Sequence, residues 1–146
     1  MTKRLEGKVT IITGATSGIG EATARRFIEE GATVILAGRT EDKGEALAKE
    51  LGSNALFQRA DIMVEADIAA LVDAAMEKFG RLDCMFNNAG AGDRTQLDTV
   101  TEEEFTNVMR LLTGSVVFGI KHAARVMKPQ GSGCILNNSS IAGHRL

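Results

Sequence analysis

Short apolar runs alternate along the chain with longer segments in which apolar residues recur every three or four positions. The runs are Val9–Thr13, Ala32–Ala37, Ala55–Ile62 (ending on Asp61-Ile62), Leu82–Asn87 and Cys134–Asn138. Val9–Thr13 and Ala32–Ala37 are continuous enough to be strands covered on both faces. Between the runs, a helix from about Ile19 to Glu30 would set Ile19, Thr23 and Phe27 on one face, with Ala24 and Ile28 beside them and Gly31 as the stop. Thr40 is an N-cap candidate for a helix to Leu51 that turns Ala46, Leu47 and Leu51 inward, with Gly52 ending it. Glu65–Phe79 carries Ile68, Leu71, Val72, Ala75 and Phe79 at a 3.6-residue period. Thr101 and Glu104 form a capping-box pattern for a long helix to about Met127, and Pro129–Gly133 reads as a turn. The segment 90–100 is polar and reads as a loop.

Five strands alternating with four helices, at connection lengths that require crossovers, predict an α/β fold. The expected architecture is a doubly wound parallel sheet in three αβα layers. Ligands of such sheets sit beyond the carboxyl ends of the strands. The first run leads straight into Thr13-Gly14-Ala15-Thr16-Ser17-Gly18-Ile19-Gly20, which opens the first helix. Free N–H groups at that helix start, reached over a glycine turn, favour a pyrophosphate. The ends of strands two to four and Ser139-Ser140 fall on the same edge, which predicts one shared cleft.

Composition narrows the function. A chain of 146 residues is one domain's worth, and its 44% hydrophobic and 25% charged residues are ordinary for a soluble protein. A net charge of −2 gives no basic footprint for nucleic acid. No apolar run is long enough for a membrane span and the N-terminus lacks a signal-peptide pattern, so a cytoplasmic protein is expected. Cys84 and Cys134 lie in strand-like runs and read as reduced core thiols. With His122 and His144 scattered singly, no metal-site spacing exists. The chain contains no Trp and no Tyr.

The sequence resembles the short-chain dehydrogenase/reductase family along essentially its whole length. Leu5-x-Gly7-Lys8-Val9 looks like the family's lead-in to strand one, and Thr13-Gly14-x-x-x-Gly18-Ile19-Gly20 like its nucleotide-binding signature. Asp61-Ile62 is similar to the pair that contacts adenine, and Asn87-Asn88-Ala89-Gly90 to the strand-four motif. Asn138-Ser139-Ser140-Ile141-Ala142-Gly143 resembles the segment whose second serine is catalytic, here Ser140. The resemblance implies a single Rossmann-like NAD(P)-binding domain over 1–146. It implies hydride transfer between a nicotinamide cofactor and a small carbonyl or alcohol substrate, in a homo-dimer or tetramer. The cofactor would touch Thr13, Gly14, Thr16, Ser17, Gly18, Ile19, Gly20, Arg39, Asp61, Ile62, Asn88, Ala89 and Gly90. Ala37-Gly38-Arg39-Thr40 puts glycine where an acidic residue would select NAD, with a guanidinium beside it. NADP is therefore favoured over NAD, although Ser17 stands where a second basic residue could precede Gly18.

Other family features are missing. The family's proton donor is a tyrosine with a lysine four residues later, a segment expected shortly beyond Ser140, and the chain has no tyrosine anywhere. The family's helix asparagine meets Leu112 in Arg110-Leu111-Leu112-Thr113-Gly114. Counted from Phe105 to Gly114, that stretch also reads one residue short, which would rotate the rest of the helix by roughly 100° unless a bulge absorbs it. The chain thus looks truncated. Strand five and one side of the long helix should expose apolar surface, and the chain alone should be inactive. A hydrolase reading of Ser140 would need His144 as its base, with no orienting carboxylate adjoining. The alternative to an oxidoreductase is a non-catalytic nucleotide-binding or regulatory module.

Overall fold

In the computed structural model, which describes residues 3–92 and 96–141, the five strands form one parallel sheet in the order β3-β2-β1-β4-β5. They are β1 (Val9–Thr13), β2 (Thr33–Gly38), β3 (Ala55–Arg59), β4 (Cys84–Asn87) and β5 (Cys134–Asn137). The helices are α1 (Gly18–Glu29), α2 (Glu41–Leu51), α3 (Glu65–Phe79), α4 (Glu102–Met109) and α5 (Ser115–Gln130), with a π-helical turn over Arg110–Gly114 between the last two. The order reverses direction beside β1: the chain winds outward to β3, then crosses back to β4. The expected doubly wound sheet is present, and its switch point lies between the β1 and β4 ends.

Two apolar layers flank the sheet. Ile11, Ile35 and Met85 point to one face, where they pack with Ile68, Leu71, Val72 and Ala75 of α3 and Ala123 and Met127 of α5. Ile12, Val34 and Leu36 point to the other, beneath Ala24 of α1 and Leu47 of α2. The opposite orientation of Ile11 and Ile12 is the period-two alternation of a strand, so a continuous apolar run feeds both layers.

Several expectations are corrected. Ile19 is 62% exposed because α1 packs through Gly20 and Ala24, four residues apart, which turns position 19 outward. Ala46 is exposed, since α2 packs through Gly44 and Leu47. Phe79, at the last turn of α3, is 38% exposed. Strand β3 stops at Arg59, before Asp61. The long helix runs through Pro129 to Gln130. The proline forfeits one ladder bond, to the Arg125 carbonyl, and Gly131 then takes the left-handed cap. At the stretch expected to read one residue short, a π turn forms over Arg110–Gly114, and beyond it Ser115, Gly119, Ala123 and Met127 are buried in a regular line. The Thr101–Glu104 capping box is formed as expected.

Cys84 and Cys134 are not core thiols. They are register partners on β4 and β5, Cys84 half-buried and Cys134 exposed. Burial, reinforced by the neighbouring Cys134, pushes the Cys84 thiol up to about 12. The expected apolar surface is also present. Leu136 of β5 and Phe105, Met109, Leu112, Val117 and Ile120 along α4–α5 are all exposed. No helix among the described residues is long and apolar enough to cross a membrane.

Candidate cofactor site

A cleft of about 630 Å³ opens at the carboxyl edge of the sheet, between the glycine turn after β1 and the ends of β2, β3 and β4. Its floor is the start of α1. Gly14 has φ +66°, a left-handed conformation that a side chain would strain. At Gly20 a Cβ would lie 2.2 Å from the Gly14 carbonyl oxygen and 2.7 Å from Asn88 Nδ2. The turn is therefore folded back onto the helix start as closely as bare backbone allows. Ser17 is the N-cap, extended and without a side-chain capping bond, so its hydroxyl is not spent on the helix. The first-turn N–H groups of α1 lack intrahelical partners and point into a space lined by Gly14, Thr16, Ser17, Gly18 and Ile19. That is a cradle suited to a pyrophosphate.

One wall is braced by a hydroxyl and amide network. Thr13 Oγ1 accepts from the backbone N–H groups of Asn88 and Ala89, both at 3.0 Å, and donates to Phe86 O at 3.3 Å. Asn88 Nδ2 donates to Thr13 O at 3.0 Å, while Asn88 Oδ1 accepts from Asn138 Nδ2 at 3.0 Å. One layer deeper, Asn87 Nδ2 donates to Asn137 Oδ1 at 2.8 Å. The ends of β1, β4 and β5 are thus stitched together side chain by side chain. Asn88, Ala89, Gly90 and Asn138 present the resulting wall to the cleft.

The opposite wall comes from β2 and β3. Ala60 N donates to Gly38 O at 2.9 Å, carrying the chain from β3 into Asp61 and Ile62 at the cleft. Asp61 Oδ1 accepts from Met63 N, and the Asp61 N–H donates to Asp67, both at 2.9 Å. Arg110, in the π turn, donates to Met63 O at 2.8 Å. This corner is therefore held from α3 and from the far side of the cleft. At Gly38 a Cβ would sit 3.0–3.2 Å from Thr16 Cγ2 and Oγ1, so a carboxylate there would press on the glycine turn. Arg39, Thr40 and Lys43 line the cleft next to it. Arg4, Arg25, Arg26, Arg81 and Arg125 are each held by carboxylates, whereas Arg39 and Lys43 have no ion-pair partner among the described residues.

Of the residues expected in the site, Gly14, Thr16, Ser17, Gly18, Ile19, Arg39, Asp61, Ile62, Asn88, Ala89 and Gly90 line this cleft together. Thr13 and Gly20 do not. Thr13 is buried and fully engaged in bracing β4, and Gly20 lies under the turn. Ser140 is exposed past the end of β5, outside the cleft lining. Ala142, Gly143 and His144 lie outside the described residues. Sequence reasoning missed Lys43, Met63, Leu111 and Asn138. Lys43 was signalled by its place in the first turn of the helix that follows Arg39. Asn138 was signalled by its position one past the Asn87–Asn137 register pair, opposite Asn88.

Glycine cradle, polar corner and switch-point position together fit a dinucleotide, and comparison with known proteins agrees. The family described as short chain dehydrogenase matches residues 8–146. Tropinone reductase-like 1 and tropinone reductase-like 2 of Erythroxylum coca are 49% and 48% identical, each alignment covering 95% of this chain. Momilactone A synthase of Oryza sativa subsp. japonica is 41% identical over 96% of it. The chain spans about half the length of these curated relatives, 53%, 52% and 52% respectively. The chain belongs to the short-chain dehydrogenase family, whose members are NAD(P)-using oxidoreductases.

Proposed function

We propose that this chain is the cofactor-binding part of an NADP-preferring oxidoreductase acting on a small carbonyl or alcohol. The single observation that carries the reading is the pairing, in one cleft, of the helix-start cradle with an unpartnered Arg39 beside a carboxylate-free Gly38. Gly14, Thr16, Ser17 and Gly18 would receive the pyrophosphate, with Asp61 and Ile62 at the adenine. Arg39 would offer its planar fork to the 2′-phosphate, a geometry that a lysine cannot reproduce. Asn88, Ala89 and Gly90 would carry the nicotinamide side. When bound, the cofactor supplies or accepts the hydride.

Proton transfer is where the chain by itself falls short. Such a step needs a group of tuned pKa within hydrogen-bond reach of the substrate oxygen. The chain holds no tyrosine, and Leu112 occupies the helix position where the family places an asparagine. Ser140 can orient an oxygen but is a poor acid. The 146-residue chain is therefore expected to bind NADP without turning substrate over. As a single NAD(P)-binding domain it would lack the tyrosine–lysine segment, and in the cell it would be cytoplasmic and associate with copies of itself.

Arg39→Asp tests the cofactor assignment. It should raise the affinity ratio of NADH to NADPH by more than tenfold in a binding titration; an unchanged ratio would rule the assignment out. The second reading, a non-catalytic nucleotide-binding module, is favoured by Leu112, whose Cδ2 lies 3.4 Å from where a Gly90 Cβ would stand, placing an apolar group beside the cleft wall.

A further inference from the structure

Cys84 opens β4 and Cys134 opens β5, and the two are register partners on these adjacent parallel strands. Paired strands lie roughly 4.7–4.9 Å apart, inside the Cα separation of about 4.4–6.8 Å that a disulfide spans. Register partners also project to the same face of a sheet. The next residues along, Met85 and Ile135, turn into the α3–α5 layer, so both cysteines turn to the opposite face. Both thiols are free, Cys84 half-buried and Cys134 exposed. Burial keeps the Cys84 thiol protonated, so Cys134 is the one that meets an oxidant from solvent first. Further along the same strands Asn87 pairs with Asn137, and Asn138 donates to Asn88 in the cleft wall. The cleft wall is thus tied by hydrogen bonds to an exposed strand that begins at the dithiol.

We propose that Cys84 and Cys134 form a peroxide-responsive dithiol whose disulfide staples the exposed strand β5 to the sheet. The Cys134 sulfur attacks one peroxide oxygen and breaks the O–O bond. Cys134 becomes a sulfenic acid, and the second oxygen leaves as water with the thiol proton. The Cys84 sulfur then attacks the Cys134 sulfur, forming the S–S bond and breaking the S–O bond. The displaced oxygen leaves as water with the Cys84 proton, so two thiols give up two electrons and the peroxide accepts them. The bridge closes the long loop that carries α4 and α5, which restricts the unfolded chain. It also fixes the register of a strand with three of its four residues exposed.

The test treats the dilute 146-residue chain with stoichiometric hydrogen peroxide, then alkylates it under denaturing conditions for mass spectrometry. The expected product is a monomer lighter by two hydrogens and carrying no alkyl group, its Cys84 and Cys134 peptides joined until dithiothreitol is added. Cys84→Ser should stop at a Cys134 sulfenic acid that dimedone traps. The urea midpoint of the oxidised wild type should lie about 1 M above that of the reduced chain, with no such rise in Cys84→Ser. Unreacted thiols, a Cys134-linked dimer, or over-oxidised Cys134 with Cys84 still alkylated would overturn the dithiol. A cross-linked monomer with an unchanged or lower urea midpoint would overturn the staple.

Discussion

Strands β1 and β2 lie within the sheet with helices over both faces, and every residue of β1 is buried. β5, on the far side of β4, has three of its four residues exposed. The residues of the candidate cofactor cleft come almost entirely from the β1–β2–β3 side and the neighbouring end of β4. Ser140, the one candidate catalytic residue, follows the exposed strand. The contrast teaches where each capability resides. A phosphate cradle needs only a strand, a turn and a helix start locked by a finished core, and those are complete. Chemistry needs a water-poor enclosure around the reacting atoms, and among the described residues Ser139, Ser140 and Ile141 at the β5 end are all exposed.

Substitutions can break that contrast. The largest effect should come from Leu36→Ala, which removes a wholly buried side chain from β2 and should cost about 2–5 kcal/mol in urea unfolding. Leu136→Ala, the equivalent truncation on β5 at 43% exposure, should cost under about 1 kcal/mol. Similar losses at the two positions would erase the distinction. Thr13→Val should come next, at about 1–3 kcal/mol, because it strands the Asn88 and Ala89 N–H groups. It should also weaken dinucleotide binding, as the wall loses its brace.

Val117→Lys with Ile120→Lys, both on the exposed helix face, should change stability by no more than about 0.5 kcal/mol. Light scattering should report less self-association than in the wild type.

The smallest effect concerns pH, at the amino edge of the sheet. Burial alone would raise Asp83, but the Arg81 fork, the Val9 N–H and Lys8 outweigh it and hold the carboxyl below its usual range. A lowered folded-state value stabilises above the unfolded value and loses that contribution as pH falls through the folded one. Asp83→Asn should therefore reduce stability at neutral pH and flatten the loss of stability below about pH 4. An acid limb as steep as the wild type's would contradict the clamp.

How much could be read from sequence follows the same division. The strands and the Glu65–Phe79 helix were legible because period and burial agree there. The glycine turn was legible because its residues are demanded by backbone geometry rather than by partners. What escaped depends on which way a side chain turns. Ile19 has the right character for a core position, yet α1 approaches the sheet through Gly20 and Ala24 and leaves it over the cleft. Thr13 has the right motif position, but its hydroxyl braces β4 from within. Lys43 and Asn138 become site residues only when α2 and β5 are placed beside the cleft. The π turn falls where the spacing up to Gly114 already looked irregular, although its residues by themselves would fit a regular helix.

We propose that this chain binds NADP and, having no tyrosine, does not turn substrate over by itself. The most direct measurement is a fluorescence titration of the mass-verified 146-residue chain with NADPH, continued after addition of a carbonyl substrate panel. Saturable binding, with no loss of reduced cofactor once the carbonyls are present, is the predicted result. Absence of saturation would contradict the site, and cofactor oxidation dependent on both protein and carbonyl would contradict the expected lack of turnover.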